Sequence, residues 1–163
     1  MKVLVIGMDN TGKTTLCKEL SERLNLKWVK SLGPNKSKEE LEDYLINNLT
    51  SEEGCIFERF SFFDEMVYGK VLRGVSKFDF KDKTYQVLKK VKPIIIYCRP
   101  EIETIFNWND REQMEGVIEQ SQTLITQWDL LMDRLYDEKP FSKFIKWDYK
   151  HNTLKNILEQ VKQ

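Results

Sequence analysis

Short apolar runs of strand length alternate along this chain with segments whose apolar residues recur at helical spacing. The run at 94–97, Ile-Ile-Ile-Tyr, has no polar alternation, as expected for a central strand that is covered on both faces. The alternation predicts an α/β fold of three layers, α/β/α, in which helices cover both faces of a parallel sheet of about five strands. The predicted strands are 3–6, 26–29, 55–57, 94–98 and 144–147.

Helices are predicted between and after these strands. The longest is marked by apolar residues from Met114 to Leu135, which recur at helical spacing and make one apolar face. At 163 residues the chain has the length of one domain, so we predict a single domain over 1–163. The predicted helices are 13–24, 38–49, 62–72, 81–91, 112–136 and 152–162.

Charge and cysteine content narrow the classes of function. The 26 Lys and Arg residues are matched by 26 Asp and Glu, which argues against a nucleic-acid partner, because such proteins need an excess of positive charge. The three cysteines are widely spaced and follow no metal-binding or disulfide pattern. No apolar stretch approaches the roughly 20 residues of a membrane helix. We therefore predict a cytoplasmic protein without a membrane partner.

A glycine-containing loop carries the most specific motif. Residues 7–14 read Gly-Met-Asp-Asn-Thr-Gly-Lys-Thr, a full match to the phosphate-binding loop (P-loop), and they lie between an apolar run and a helical pattern. The match predicts a P-loop NTPase fold that binds a nucleoside triphosphate, with Lys13 on the β and γ phosphates and Thr14 on Mg²⁺. The predicted donor-binding residues are Asn10, Thr11, Gly12, Lys13, Thr14 and Thr15.

Polar residues follow the first and third predicted strands, whose carboxyl ends border the ligand crevice of a parallel sheet. Glu58 and Arg59 follow the third strand. We predict that Glu58 is catalytic and belongs to the magnesium shell, and that Arg59 binds a phosphate through paired hydrogen bonds; a surface ion pair is the alternative. Asp9, within the loop, has three candidate roles: binding magnesium, binding a sugar hydroxyl, or stabilising the turn.

The polar segment 107–113 is predicted to form a short lid over the phosphates. Its Arg111 would stabilise the phosphoryl group in transfer, which makes it a catalytic candidate. The alternative is a solvated helix start with Asp110 as N-cap. Arg99, after the fourth strand, is a second basic candidate with a surface position as its alternative, and His151 is predicted to lie on the surface.

An aromatic cluster follows Arg59 directly. Helical spacing favours core packing for part of it, but an acceptor base needs a flat apolar face to stack on, and the cluster would border the crevice. We predict that Phe63 and Tyr68 contact the acceptor. The cluster consists of Phe60, Phe62, Phe63 and Tyr68.

Taken together, these motifs resemble those of the thymidylate kinases. Residues 7–15 are similar to the family's Gly-x-Asp-x-x-Gly-Lys-[Ser/Thr]-Thr loop, and Glu58-Arg59-Phe60 is similar to its Asp-Arg-[Tyr/His] motif. Tyr68-Gly69 and Asp110-Arg111-Glu112 resemble a Tyr-Gly pair and a lid motif of the same family. The resemblance implies a nucleoside monophosphate kinase fold with Mg²⁺ and ATP as donor, and a deoxynucleoside monophosphate, first of all dTMP, as acceptor.

The resemblance also implies individual roles. Asp9 would bind the 3′-hydroxyl of the acceptor's sugar, Arg59 its phosphate and Arg111 the transferring phosphoryl group. Tyr68 would crowd the sugar C2′ and so favour deoxyribose. The protein's partners would be small-molecule nucleotides, and a homodimer is compatible with the apolar content. The complete absence of alanine and the preference for Lys over Arg suggest an A+T-rich genome, such as that of a low-GC bacterium or its phage.

The chain departs from the family pattern in ways that keep alternatives open. Ser31-Leu32-Gly33-Pro34 replaces the family's Arg-Glu-Pro-Gly-Gly segment, and Asn10 stands where some members have a catalytic Arg. Deoxynucleoside kinases also carry a Glu-Arg pair after the third strand, but they need a general-base carboxylate after the second, where this chain has none. A nucleotide-binding regulator without turnover is the third interpretation.

Overall fold

Five parallel strands form the centre of the protein in a computed structural model that describes residues 1–109 and 112–163. They are β1 (Lys2–Ile6), β2 (Lys27–Lys30), β3 (Cys55–Glu58), β4 (Ile94–Cys98) and β5 (Lys143–Trp147). The sheet order is β2-β3-β1-β4-β5, with every neighbouring pair parallel. The predicted parallel sheet is confirmed. Because β1 is central, the loop that follows it opens between the carboxyl ends of β3 and β4.

Helices cover both faces of this sheet, so the predicted three-layer architecture is confirmed. Val3 and Val5 of β1 point to one face, which packs against α1 (Lys13–Leu24) and α8 (Leu154–Lys162). Leu4 and Ile6 point to the other face, in a core with the remaining long helices. Those helices are α2 (Lys38–Thr50), α5 (Lys83–Val91) and α7 (Ser121–Glu138).

A helical stretch follows β3, as predicted for 62–72, but it is not uniform. It consists of α3 (Ser61–Asp64), a π-helical segment (Glu65–Gly69) and α4 (Lys70–Arg73). Single π turns inside helices occur frequently at functional sites. A further short helix, α6 (Ile102–Ile105), was not predicted. Among the described residues, no helix has both the length and the apolar character needed to cross a membrane.

The prediction of one helix over 112–136 is wrong. The helix begins only at Ser121, and residues 115–120 form turns. Gly116 has φ +83°, a left-handed conformation that ends an α-helix and that residues with a side chain rarely adopt. Met114 and Ile118, which were expected on the apolar face, are 44% and 45% exposed, while Val117 is buried.

Candidate active site

The loop between β1 and α1 is folded tightly enough to need its first glycine. Gly7 has φ +137°, and a Cβ at this position would lie 2.5 Å from the carbonyl oxygen of Cys98 at the end of β4. The chain can therefore turn away from the central strand here only without a side chain. α1 then starts at Lys13, so its N-terminal backbone N–H groups and the positive end of its dipole face the loop.

Lys13 is buried beneath the loop, with 5% exposure. Its Nζ donates hydrogen bonds to the Met8 carbonyl and, at 3.2 Å, to Thr11 Oγ1. Burial lowers the pKa of Lys13 to about 8, with the charge of Arg59 acting in the same direction and Asp9 opposing it. The Lys13 ammonium therefore needs nearby oxygen atoms that stabilise its charged form. The phosphates of a nucleotide would supply such oxygens.

Thr14 and Glu58 are brought together beside Lys13. The Thr14 hydroxyl donates to Glu58 Oε1, and Trp28 Nε1 donates to Oε2 at 3.1 Å, which fixes the carboxylate on the α1 side of the β3 end. A hydroxyl and a carboxylate are the hard oxygen ligands that Mg²⁺ takes, with phosphates and water completing its shell. This pair therefore fits a metal shared with phosphates; the described residues hold no cluster of three His, Cys, Asp or Glu side chains for a metal.

Arg59 contacts the P-loop and also lines a neighbouring cavity. Its guanidinium forms an ion pair with Asp9 Oδ1 of the loop, and its backbone has φ +66°, a strained conformation for a non-glycine residue. Burial would raise the pKa of Asp9, but Arg59 and Lys13 outweigh it and lower the pKa. Burial also opposes the charge of Arg59, but Asp9 and Asp64 raise its pKa, so both partners stay charged.

A cavity of about 350 Å³ lies beside Arg59, which forms part of its lining. Tyr68 forms part of its wall, and the Tyr68 hydroxyl accepts a hydrogen bond from the Asp9 backbone N–H at 3.1 Å. The loop after β2 contributes neutral residues, and the segment 112–114 contributes another edge. The cavity is lined by Asp9, Ser31, Gly33, Pro34, Leu41, Arg59, Ser61, Asp64, Glu65, Tyr68, Arg73, Glu112, Gln113 and Met114.

Glu65, Arg73 and Lys77 form a charged network at this cavity that the sequence analysis missed. Arg73 and Lys77 both form ion pairs with Glu65, whose side chain is 6% exposed. Lys77 Nζ also donates to the carbonyls of Pro34, at 2.7 Å, and Lys36, at 2.8 Å, and so holds the loop after β2 in place. Glu65 lies at the start of the π-helical segment and Arg73 at the end of α4, so no regular helical spacing in the sequence indicates this pair.

Asp64 is the second group that the sequence analysis missed. It lines the cavity, and its Oδ1 is buried without a hydrogen-bond partner among the residues that the structure describes. Burial raises the pKa of Asp64 to about 6, against the lowering effect of Arg59 and Lys13. The cavity wall therefore contains a carboxylate with unused hydrogen-bonding capacity.

Other predicted residues have structural contacts. The Phe63 side chain is fully buried and packs against Phe60 and Phe62, with ring centroids 5.3 and 5.5 Å apart, so it belongs to the core. The Asn10 amide donates to the carbonyls of Thr104, Ile105 and Asn107. Its side chain therefore ties the loop to α6.

The remaining candidates lie around the edge of the site. Thr11 donates to the Met8 carbonyl at 2.8 Å and so stabilises the loop, and Thr15 is exposed on α1. Arg99 forms a two-bond ion pair with Asp129, at 3.0 Å each. His151 is exposed. The predicted lid residue Arg111 lies outside the residues that the structure describes.

Solved structures similar to this chain include nucleoside and nucleotide kinases. The Bacillus subtilis protein YorR in complex with phosphorylated GDP superimposes with a TM-score of 0.72 at 18% identity over 99% of this chain and 96% of that one. Deoxyadenosine kinase from M. mycoides with bound dATP gives 0.68 at 19% identity over both whole chains. Thymidylate kinase from Candida albicans gives 0.54 at 13% identity, over 99% and 90%.

These similarities show that the chain has the three-layer P-loop kinase fold. No protein-family model matches the sequence, and no curated protein matches it as a relative.

Proposed function

We propose that the protein transfers the γ-phosphoryl group of Mg-ATP to a deoxynucleoside monophosphate. The observation that carries this proposal is the position of Arg59, which contacts the P-loop through Asp9 and also lines the cavity. A donor bound at Lys13 and an acceptor bound in the cavity would meet at this guanidinium. Such a reaction depends on positioning and on neutralising charge, and it requires no protein nucleophile.

On the donor side, the loop N–H groups and the Lys13 ammonium would hold the β and γ phosphates. Thr14 and Glu58 would hold the metal, as their adjacent oxygens indicate. Bound there, Mg²⁺ would supply charge neutralisation for the phosphates. We retain Arg111 as the lid residue proposed to stabilise the transferring group, and Asn10, Thr11, Gly12 and Thr15 as the other residues of the donor site.

On the acceptor side, Arg59 is proposed to bind the acceptor's phosphate, and Arg73 adds a second positive charge to the cavity. Asp9 and Tyr68 are proposed to contact the sugar; in support, the Asp9 backbone N–H donates to the Tyr68 hydroxyl at 3.1 Å, so the two residues are neighbours. An acceptor phosphate is already ionised, so no general base is required. Within this acceptor class, the resemblance to thymidylate kinases points to dTMP as the acceptor to test first.

A deoxynucleoside kinase is the second candidate. The Glu58-Arg59 pair and the similarity to the deoxyadenosine kinase fold support it. The residues of the β2–α2 loop that line the cavity, Ser31, Gly33 and Pro34, offer no base for a hydroxyl acceptor. This favours the monophosphate.

The test is product formation from Mg-ATP with a panel of deoxynucleoside monophosphates, ribonucleoside monophosphates and deoxynucleosides. Lys13→Met should abolish turnover with every acceptor. Arg59→Lys keeps the charge but loses the paired hydrogen bonds, so it should raise the KM for the acceptor by about tenfold to a hundredfold. Arg23→Lys, an exposed arginine on α1, is the matched control.

The outcomes separate the candidates. Turnover with monophosphates and the Arg59→Lys effect on KM support the proposal. Turnover with deoxynucleosides alone would assign the protein to the second candidate. Tight ATP binding with no turnover on any acceptor would refute both and favour a regulator. An unchanged acceptor KM in Arg59→Lys would show that the phosphate binds elsewhere.

A further inference from the structure

The two oxygens of the Glu58 carboxylate have different partners. Oε1 accepts a hydrogen bond from the Thr14 hydroxyl, whereas Oε2 accepts one from Trp28 Nε1 at 3.1 Å. The carboxylate of a Glu side chain rotates over a broad range of χ3 angles unless its oxygens are held. Because the indole holds Oε2, the oxygen that remains for a metal beside Thr14 is Oε1.

The register of the sheet places the indole beside this carboxylate. Trp28 of β2 pairs with Ile56 of β3, and Glu58 follows two residues later, so these side chains share one face of the sheet. The Trp28 ring is half-buried and packs against the apolar core on that face. The Lys30 ammonium lies 4.6 Å from the centre of the ring and adds a cation–π contact. The ring is thus held by contacts that do not involve Glu58.

We propose that Trp28 is a positioning residue that favours Mg²⁺ over Ca²⁺, because it allows the Glu58 carboxylate to bind a metal through one oxygen only. The inference rests on the proposed function, in which Glu58 and Thr14 hold the metal, and it adds a residue that sets metal specificity. Ca²⁺ accepts carboxylates through one or both oxygens at long and variable distances, whereas Mg²⁺ requires compact octahedral geometry. An indole N–H on Oε2 therefore disfavours the two-oxygen mode that is open to Ca²⁺.

The chemistry of the indole suits this role. Its nitrogen is only a donor, so it binds a carboxylate oxygen and offers no lone pair to a metal. Hydrogen-bond partners that orient a metal ligand typically contribute about tenfold to a hundredfold in metal affinity. Trp28→Phe keeps an aromatic ring on β2 but loses the N–H, and it would leave both oxygens of Glu58 available to a metal.

The test measures the affinity of ADP by calorimetry in Mg²⁺, in Ca²⁺ and in EDTA, and it requires no turnover. In the wild type, Mg²⁺ should strengthen ADP binding more than Ca²⁺ does. In Trp28→Phe, the gain from Mg²⁺ should fall by about tenfold, while the gain from Ca²⁺ is kept or increased and the affinity in EDTA is unchanged. A thermal melt establishes that the variant is folded, and the wild-type comparison needs no variant.

Two further variants control the experiment. Trp147→Phe is the matched control, because it removes an indole N–H that is buried without a hydrogen-bond partner among the described residues. It should leave the ratio of the Mg²⁺ gain to the Ca²⁺ gain unchanged. Glu58→Gln tests whether Trp28 acts through Glu58: in that background, Trp28→Phe should not change the ratio further.

Some results would overturn the inference and leave the proposed function intact. These are a wild type that gains equally from both metals, a ratio that does not change in Trp28→Phe, an equal loss with both metals, and an undiminished effect of Trp28→Phe in the Glu58→Gln background. By contrast, a lack of turnover with every monophosphate would overturn the proposed function, and the ADP affinities would still show whether Trp28 sets the metal preference.

Discussion

Replacing Gly69 with alanine should destabilise the protein, although helix propensity alone predicts the opposite. Gly69 has helical dihedral angles, φ −58° and ψ −49°, where Gly→Ala normally stabilises by about 1 kcal/mol. A Cβ here, however, would lie 2.8 Å from Arg73 Nη2, 2.8 Å from Glu65 Oε2 and 2.9 Å from the Val75 carbonyl oxygen. The first two atoms are the partners of the Glu65–Arg73 ion pair, which would have to separate, and the third is a backbone atom, which cannot rotate away.

The expected size follows from these contacts. Overpacking costs about 1–3 kcal/mol. Separating Glu65 from Arg73 adds only about 1 kcal/mol, because the Arg73 side chain is 37% exposed and Lys77 still pairs with Glu65. Against a gain of about 1 kcal/mol in propensity, we expect a net loss of about 1–3 kcal/mol. With an m-value of about 2 kcal/mol per molar urea, the midpoint should fall by about 0.5–1.5 M.

Urea denaturation measures the loss, and acceptor KM gives a second readout, because a displaced Arg73 should weaken acceptor binding. Gly74→Ala is the control: its φ is +77° and its Cβ would meet no atom within 4 Å, so it should cost only about 1 kcal/mol of backbone strain and leave KM unchanged. A midpoint that rises in Gly69→Ala would refute the reasoning.

Three further predictions concern charge. The pKa of Lys13 is about 8, and phosphates favour its charged form. ATP affinity should therefore be constant below pH 8 and fall about tenfold for each pH unit above it. Calorimetry that finds no fall in affinity up to about pH 9.5 would contradict this. The pKa of Asp64 is raised to about 6, which favours its neutral form in the folded state. The stability that the neutral form contributes is complete below pH 3.8 and is lost as the pH rises through 6. In denaturation series at neutral pH, Asp64→Asn should be more stable than wild type by up to about 3 kcal/mol. Glu58→Gln should raise the Mg²⁺ concentration for half-maximal turnover by about tenfold, unlike Glu103→Gln on α6; equal Mg²⁺ titrations would remove Glu58 from the metal site.

The parts of the structure that were predictable are those specified by local sequence. Ile94–Cys98 is buried along its whole length, so continuous apolarity identified it without ambiguity. The P-loop was equally predictable, because the local backbone geometry of the loop requires its glycines and Lys13 at fixed positions in the sequence. The position of Glu58 was predictable from topology, since the end of β3 must lie beside the end of β1, and Val5 of β1 pairs with Glu58.

The parts that failed depend on contacts between distant segments. An apolar helical pattern around Val117 did not reveal that Gly116 adopts a left-handed conformation against Leu72, which lies 3.2 Å from the position of a Cβ there. Likewise, Glu65 and Arg73 are eight residues apart, a spacing that one π turn brings into contact and that no regular helical pattern predicts. The Phe63 prediction rested on adjacency in sequence, which does not say which face of a helix meets the cavity.

The Asn10 side chain joins distant segments of the chain. Its amide donates at 2.9 Å to the carbonyl of Asn107, and Asn107 is the first residue of the segment predicted as a lid. The same amide also donates to two carbonyls of α6. Two parts of the chain almost a hundred residues apart are thus joined through one side chain. If the proposed donor site takes up a triphosphate, a shift of the P-loop would be transmitted through this amide to residue 107, and occupancy of that site would be coupled to the segment predicted as a lid.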